Sequence, residues 1–204
     1  MDSREAFESY YERKTKQAKK SFEHHIATFD VLSHQVSVLE WKQPGTRNYM
    51  VRYLMDGNIL SVSGDLGTAV FELTWVATPD SFSDLSMYYF NEKLSAYHNG
   101  RYIIDEDYLK AELAERFEDL TSETNSDSEA DLIEVIDSLG RFSSINELAE
   151  YVHLPDITEI LEKYDENCWE WIYDIGQVIA PRIVYYLVGL QMAAEQLRNQ
   201  TQVK

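Results

Sequence analysis

A chain of 204 residues with 44% apolar and 13% aromatic side chains can bury a real core, which excludes disorder throughout. Lys plus Arg number 18 against 36 Asp plus Glu, a formal charge of −18 with a pI near 4.5. Such a field repels nucleic acid and anionic membranes over about 8 Å at physiological salt, so direct duplex DNA binding is not expected; a basic, nucleic-acid-binding protein is attracted instead.

The opening Met1-Asp2-Ser3-Arg4-Glu5 leads into charged residues, not an apolar run, and predicts no secretory leader. Cys168 is the one cysteine and has no internal disulfide partner, which suits a reducing cytoplasm. The longest apolar stretch, 172–194, is interrupted by Asp174, Gln177, Pro181, Arg182 and Gln191 and reads as a buried helix of a soluble protein, not a membrane span.

Residues 3–29 predict one long helix, with Phe7, Tyr11, Ala18, Phe22, Ile26 and Phe29 as its apolar stripe. Arg13, Lys16 and Lys20, with Lys14 and Lys19 nearby, form the basic cluster of the chain. They read either as a solvated face that suits the second half of a helix dipole, or as a contact patch. From Ser33 to Trp75 the period changes to two. Val36 and Val38, then "NYMVRYLM", "NILSVSG" and "TAVFELTW", predict a four-stranded antiparallel meander with a turn at Asp56-Gly57. Gly64-Asp65-Leu66-Gly67 has the look of a phosphate loop. Gly67, however, leads into strand-forming Thr68-Ala69-Val70-Phe71, no lysine follows, and a turn or bulge is expected.

After Thr78-Pro79-Asp80 the pattern is helical. One helix capped by Asp80 or Ser81 carries Met87, Phe90, Leu94 and Tyr97 and ends at Asn99-Gly100; another from Asp105 buries Leu109, Leu113, Phe117 and Leu120. A polar linker is expected from Thr121 to Asp131, then helices with Leu132, Ile136 and Leu139, and with Ile145, Leu148 and Val152 after Ser143-Ser144. Short helices over 157–164 and 169–175 precede a last long one reaching about Gln200. The fold class is α+β: an N-terminal helix, the meander and a predominantly helical C-terminal half. A boundary is drawn between 1–100 and an acidic region, 101–204, packed on or extending the same domain.

Candidate chemistry is sparse. His24 and His25, adjacent on a helix, point about 100° apart and cannot share an ion, while His34, His98 and His153 are scattered; no metal and no cofactor are expected. Cys168 sits among Asp165, Glu166 and Glu170, whose charge suppresses the thiolate and favours a structural cysteine. No Gly-x-Ser-x-Gly elbow occurs, and Asp65 with Glu72 lacks the lysine of a metal-dependent nuclease, so no catalytic residue is assigned. Trp169, Ile172 and Tyr173 of "CWEWIYDIG" read as core or as an anchor. The last helix, apolar almost all round with Ile179, Ile183, Leu187 and Leu190 on one side, is either central to the domain or shared with a second copy in a homodimer.

Between Arg101 and Glu170 roughly 21 carboxylates face about 5 basic side chains. Asp105, Glu106 and Asp107 open this region. Glu112, Glu115, Glu118 and Asp119 lie opposite the buried stripe of their helix, and Asp127, Asp131 and Glu134 share a face on the next. Carboxylates three and four apart stand about 5–6 Å from each other, comparable to the close charge spacing of a nucleic-acid backbone. This face is the candidate contact for a basic nucleic-acid groove, against the plain alternative of solubility.

The stretch "PGTRNYMVRYLMDGNILSVSGDLGTAVFELTW", continued by "LSMYYFNEKLSAYHNGRYIIDED", resembles uncharacterised phage and prophage accessory proteins of low-GC Gram-positive bacteria, over about half of the chain. The resemblance rests on the Pro-Gly loop, the aromatic strand, Gly-Asp-Leu-Gly-x-Ala-Val and the Trp before a helix. It carries no catalytic motif. It implies a non-enzymatic phage product acting in the cytoplasm of the infected host: a stoichiometric inhibitor of an immune nuclease, an anti-CRISPR protein directed foremost at Cas9, whose nucleic-acid channel is basic. The alternatives are a phage replication or morphogenesis adaptor, or a small enzyme with an unrecognised site.

Overall fold

The chain is α+β: an N-terminal helix, an antiparallel sheet whose strands follow chain order, then helices. A computed structural model describes residues 2–121, 134–135, 138–139, 142 and 144–202, and of 117–121, 164, 201 and 202 the backbone alone. The elements are α1 (Ser3–Ser21), β1 (Ile26–Val31), β2 (Val36–Lys42), β3 (Val51–Asp56), β4 (Ile59–Gly64), β5 (Ala69–Glu72), α2 (Met87–Glu92) and β6 (Leu94–Tyr97). They are followed by β7 (Tyr102–Ile104), α3 (Glu106–Thr121), α4 (Ile145–Val152), α5 (Pro155–Tyr164), β8 (Gln177–Ile179) and α6 (Pro181–Gln202). Two units result, one of residues 12–101 with 179–204 and one of 1–11 with 102–178. The last helix therefore belongs with the sheet and not with the acidic region to which the sequence reading assigned it.

In the sheet unit six antiparallel strands are ordered β1-β2-β3-β4-β5-β6, two more than the meander expected. Both additions come from segments whose apolar spacing also suits a helix. α1 stops at Ser21, where Phe22 N bonds Ala18 O and His25 N bonds Phe22 O, so Ile26 and Phe29 are strand residues. Phe29 stands opposite Leu39 in the β1–β2 ladder, and this pairing outweighs the local 3.6-residue pattern. Gln196 of α6 fastens the start of that edge strand, accepting from Ala27 N at 2.7 Å and donating to His25 O at 3.3 Å. The helix expected through Tyr97 is only α2, capped by Ser86; Lys93 O then accepts from Glu72 N at 2.8 Å, and Leu94–Tyr97 pairs with β5 across a bulge.

β3 alternates as expected, with Val51, Tyr53 and Met55 buried and Arg52, Leu54 and Asp56 exposed. Only Gly57 in the β3–β4 turn takes a positive φ, 57°. Gly67 (φ 99°) turns the chain directly into β5 and not into a helix N-terminus, and a Cβ there would run into the His98 ring. α6 covers the buried sheet face with Ile183, Val184, Tyr186, Leu187 and Leu190. Gly189 lets it come close, since a Cβ would lie 2.5 Å from the Tyr53 hydroxyl, which donates to Tyr186 O at 2.9 Å. The candidate dimer residues are thus accounted for within one chain: Ile183, Leu187 and Leu190 are core, and Ile179 lies in β8, not on the helix.

In the other unit β7 pairs with β8, and α3, α4 and α5 pack around Leu109, Leu113, Leu148, Val152, Leu161 and Ile172. Ser144 caps α4 through Glu147 N at 3.3 Å, and Pro155 opens α5. The helix expected over 169–175 is a single 3-10 turn, Cys168–Glu170, followed by irregular turns. Leu132, Ile136 and the linker up to Asp131, apart from Thr121, lie outside the described residues, as do the side chains of Phe117 and Leu120.

His25 is buried between Phe22 and Trp41, with ring centroids 5.0 and 5.6 Å away, and its Nε2 donates to Tyr49 O at 3.2 Å. Burial, the largest cause, holds its pKa below the ordinary value of 6.5. The unfolded chain then binds the proton more readily than the folded one, so stability is full above about pH 6.5 and falls as the pH drops below it. A urea series between pH 5 and 7 should show this loss, and His25→Gln, which keeps a donor to Tyr49 O, should flatten it. Leu190→Ala should cost about 2–5 kcal/mol with a midpoint independent of protein concentration, whereas a helix shared between copies would make the midpoint concentration-dependent.

Candidate functional site

The carboxylates of α3, which spacing alone places on one open face, divide into structural and exposed groups. Asp105 caps the helix, its Oδ1 accepting from Tyr108 N at 3.2 Å while its own N–H donates to Gly176 O at 3.0 Å. Glu112 accepts from the Tyr108 hydroxyl and from Gly176 N, each at 2.6 Å. Glu115 receives both Ser3 N and Ser3 Oγ at 2.7 Å, neutralising the N-terminal end of α1. Glu106 pairs with Lys110 one turn on, at 2.8 Å. Asp107 and Glu134 are exposed. The side chains of Glu118 and Asp119, and all of Asp127 and Asp131, lie outside the described residues. Glu112 and Glu115 are therefore not part of a free acidic face: they hold the Gly176 turn and the first turn of α1.

Exposed negative charge lies further along the same unit. Glu147 and Glu150 on α4, Asp156, Glu159 and Glu162 on α5, and Glu166 and Glu170 beyond it are all solvent-facing. They sit opposite the buried Leu148, Val152 and Leu161, the ordinary outcome for amphipathic helices. That periodicity is visible in the sequence, and it marks these residues better than carboxylate density does. Leu154, half exposed at the α4–α5 corner, supplies apolar surface among them.

Beside these helices the aromatic side chains of 169–173 make a fixed cluster. Trp169 stacks on His153 with centroids 5.4 Å apart and planes 11° from parallel, and donates to Glu162 at 3.0 Å. The Tyr173 hydroxyl bonds His153 Nε2 at 3.0 Å, Trp171 donates to Asp165 at 2.8 Å, and the Arg116 guanidinium lies 4.5 Å over the Trp171 ring. Ile172, expected on the same face as Trp169, is fully buried in the core. Cys168 is buried too. Desolvation first, then the charges of Asp165 and Glu162, push its thiol pKa up, which opposes nucleophilic use.

In the sheet unit Lys16 and Lys20 of the basic cluster are exposed on α1 and Arg13 is half-buried. Among the described residues no three His, Cys, Asp or Glu side chains are grouped to hold a metal ion, and no helix is long and apolar enough to cross a membrane. Compared with protein families, with curated proteins and with solved structures, the chain matches none.

Glu112→Ala leaves Gly176 N and the Tyr108 hydroxyl without their charged acceptor and should lower stability by about 1–3 kcal/mol in urea denaturation. Cys168 should resist a thiol reagent such as DTNB in the native protein and react stoichiometrically once the chain is unfolded.

Proposed function

We propose that this chain is a phage-encoded, stoichiometric inhibitor of a host nucleic-acid-targeting nuclease, an anti-CRISPR protein acting on Cas9, which it binds by presenting carboxylates to a basic nucleic-acid groove. The observation that carries this reading is the run of exposed carboxylates on α4, α5 and the following turn, in a chain of net charge −18. Charge of this density accelerates encounter with a basic channel and sets orientation. Leu154 and the half-buried Trp169 among the carboxylates give the fixed contacts that long-range charge cannot supply. The resemblance of Pro44–Trp75 to phage proteins of Gram-positive bacteria points to Cas9 within the class of basic partners. The inhibitor needs no catalytic group and no cofactor, acts in the cytoplasm of the infected host, and reaches DNA only through its partner.

Guide-loaded Cas9 from a Gram-positive host, mixed with the chain before target DNA is added, should lose cleavage completely near one equivalent and regain it with rising salt. The triple variant Glu147→Lys, Glu150→Lys, Glu159→Lys should raise the half-inhibiting concentration by about tenfold or more while its unfolding free energy stays within about 1 kcal/mol of the parent. Undiminished cleavage at large excess would rule out Cas9 as the partner. Inhibition that the triple variant leaves intact would rule out these carboxylates as the contact.

A further inference from the structure

Among the described non-glycine residues Tyr49 alone has a positive φ, 55°, a left-handed conformation that costs a bulky side chain about 1–2 kcal/mol. Its backbone is clamped on both sides: its N–H donates to Asp65 Oδ2 at 2.8 Å and its carbonyl accepts from buried His25 at 3.2 Å. The arrangement holds the ring, 42% exposed, at the edge of an open cleft of about 470 Å³ in the sheet unit. Across the cleft Tyr185 of α6 faces it, with ring centroids 6.1 Å apart and planes 24° from parallel. Gln17 and Asn48 contribute amides and Arg182 a guanidinium. His98 takes one of the guanidinium donors, Arg182 Nη1 to His98 Nε2 at 2.9 Å, an orientation that leaves the imidazole proton on Nδ1 to bond Thr68 O at 2.9 Å.

The cleft lies beside the helix that carries the basic cluster of an otherwise acidic chain. Gln17 lies on α1 one turn from both Arg13 and Lys20, so the lining includes a residue of that helix, and Arg182 is a cation of the lining itself. Asp65 is the one carboxylate in the lining, and it is engaged with the Tyr49 amide. Because fields are screened beyond about 8 Å, an anion at this site responds chiefly to the charges that line it. An exposed tyrosine of a stacked pair, two amides and a planar guanidinium suit a ligand that joins a flat, hydrogen-bonding ring to an anionic group, and the volume falls in the range of small-ligand sites.

We propose that this cleft binds a nucleoside phosphate, with the base against Tyr49 and Tyr185 and the phosphate toward Arg182 and the basic stretch of α1. The site stands independently of the partner reading above, since it lies in the sheet unit and uses none of the α4–α5 carboxylates. A free nucleotide and the 5′-phosphorylated end of a single-stranded RNA offer the same chemistry.

Isothermal titration of the full chain with adenosine 5′-monophosphate, adenosine, inorganic phosphate and a 5′-phosphorylated RNA tetranucleotide tests the assignment. The nucleotide should bind one site, more tightly than adenosine or phosphate alone. Arg182→Gln, at an exposed position, and Tyr49→Asn, which tolerates the left-handed backbone, should each weaken it about tenfold or more. The tetranucleotide binding more tightly than the mononucleotide would assign an RNA end; the reverse would assign a free nucleotide. No heat of binding for either at millimolar concentration overturns the proposal. So does phosphate binding as tightly as the nucleotide, or affinity unmoved by both substitutions.

Discussion

The sheet unit depends on one close approach, that of α6 to β3 at Gly189. A six-stranded antiparallel sheet with Val51, Tyr53, Met55, Leu60 and Phe71 on one face must cover that face, and the covering element comes from the end of the chain. The missing side chain at Gly189 allows the Tyr53 hydroxyl to reach the helix backbone at Tyr186, while Tyr186 in turn donates to Leu66 O at 2.8 Å. Burying a leucine or isoleucine is worth about 1.5–3 kcal/mol, so Ile183, Leu187 and Leu190 together rival the net stability of a domain. It follows that residues 12–101 cannot close their core until 179–204 has arrived. The acidic segment between them is, topologically, an insertion.

That topology separates two tasks. The insertion has its own core around Leu109, Leu148 and Ile172, so the outward faces of α4 and α5 are free to carry charge without disturbing the sheet. Carboxylates nearer the insertion's ends serve its construction: Asp105 caps α3, Glu112 grips the Gly176 turn and Glu115 ties down Ser3. The same residue type thus does two jobs in one unit, separated by whether a buried or terminal N–H lies within reach. The sheet unit holds a cleft lined by Arg182 and edged by a strained tyrosine, with Gln17 of the helix that carries the basic cluster also in its lining. A strained, clamped aromatic with an exposed ring is difficult to explain as packing alone.

Much of the fold was legible in the residues. The alternation of β3 to β5, the Asp-Gly turn, the glycine loop running into a strand and the Ser144 cap each follow from local rules and lie where those rules put them. β2 does not alternate, since Val38 and Leu39 are both buried and Leu39 and Trp41 share the covered face with Tyr53 and Val51. β1 and β6 were not legible, because Ile26, Phe29, Leu94 and Tyr97 fit a helical stripe and no glycine or proline stops the helix before them; pairing with distant strands decides. The same limit applies to the site. Spacing puts Glu112 and Glu115 on one face of α3, but it says nothing of Gly176 or of Ser3, 112 residues away from Glu115. The exposed face of α4 and α5 was readable from Leu148, Val152 and Leu161, and density of charge drew attention elsewhere. The strain at Tyr49 has no sequence signal at all.

If the α4–α5 carboxylates stand in for nucleic acid, the chain and the target duplex must exclude each other from the effector. The direct measurement is competition: labelled target duplex bound to guide-loaded, cleavage-inactive Cas9, followed by fluorescence anisotropy while the chain is titrated in, and the reverse order of addition. Mutual exclusion, with duplex and chain each raising the other's apparent dissociation constant in proportion to concentration, is the predicted result. A ternary complex holding chain, effector and duplex together would contradict it, because a stand-in for DNA cannot share the groove with DNA.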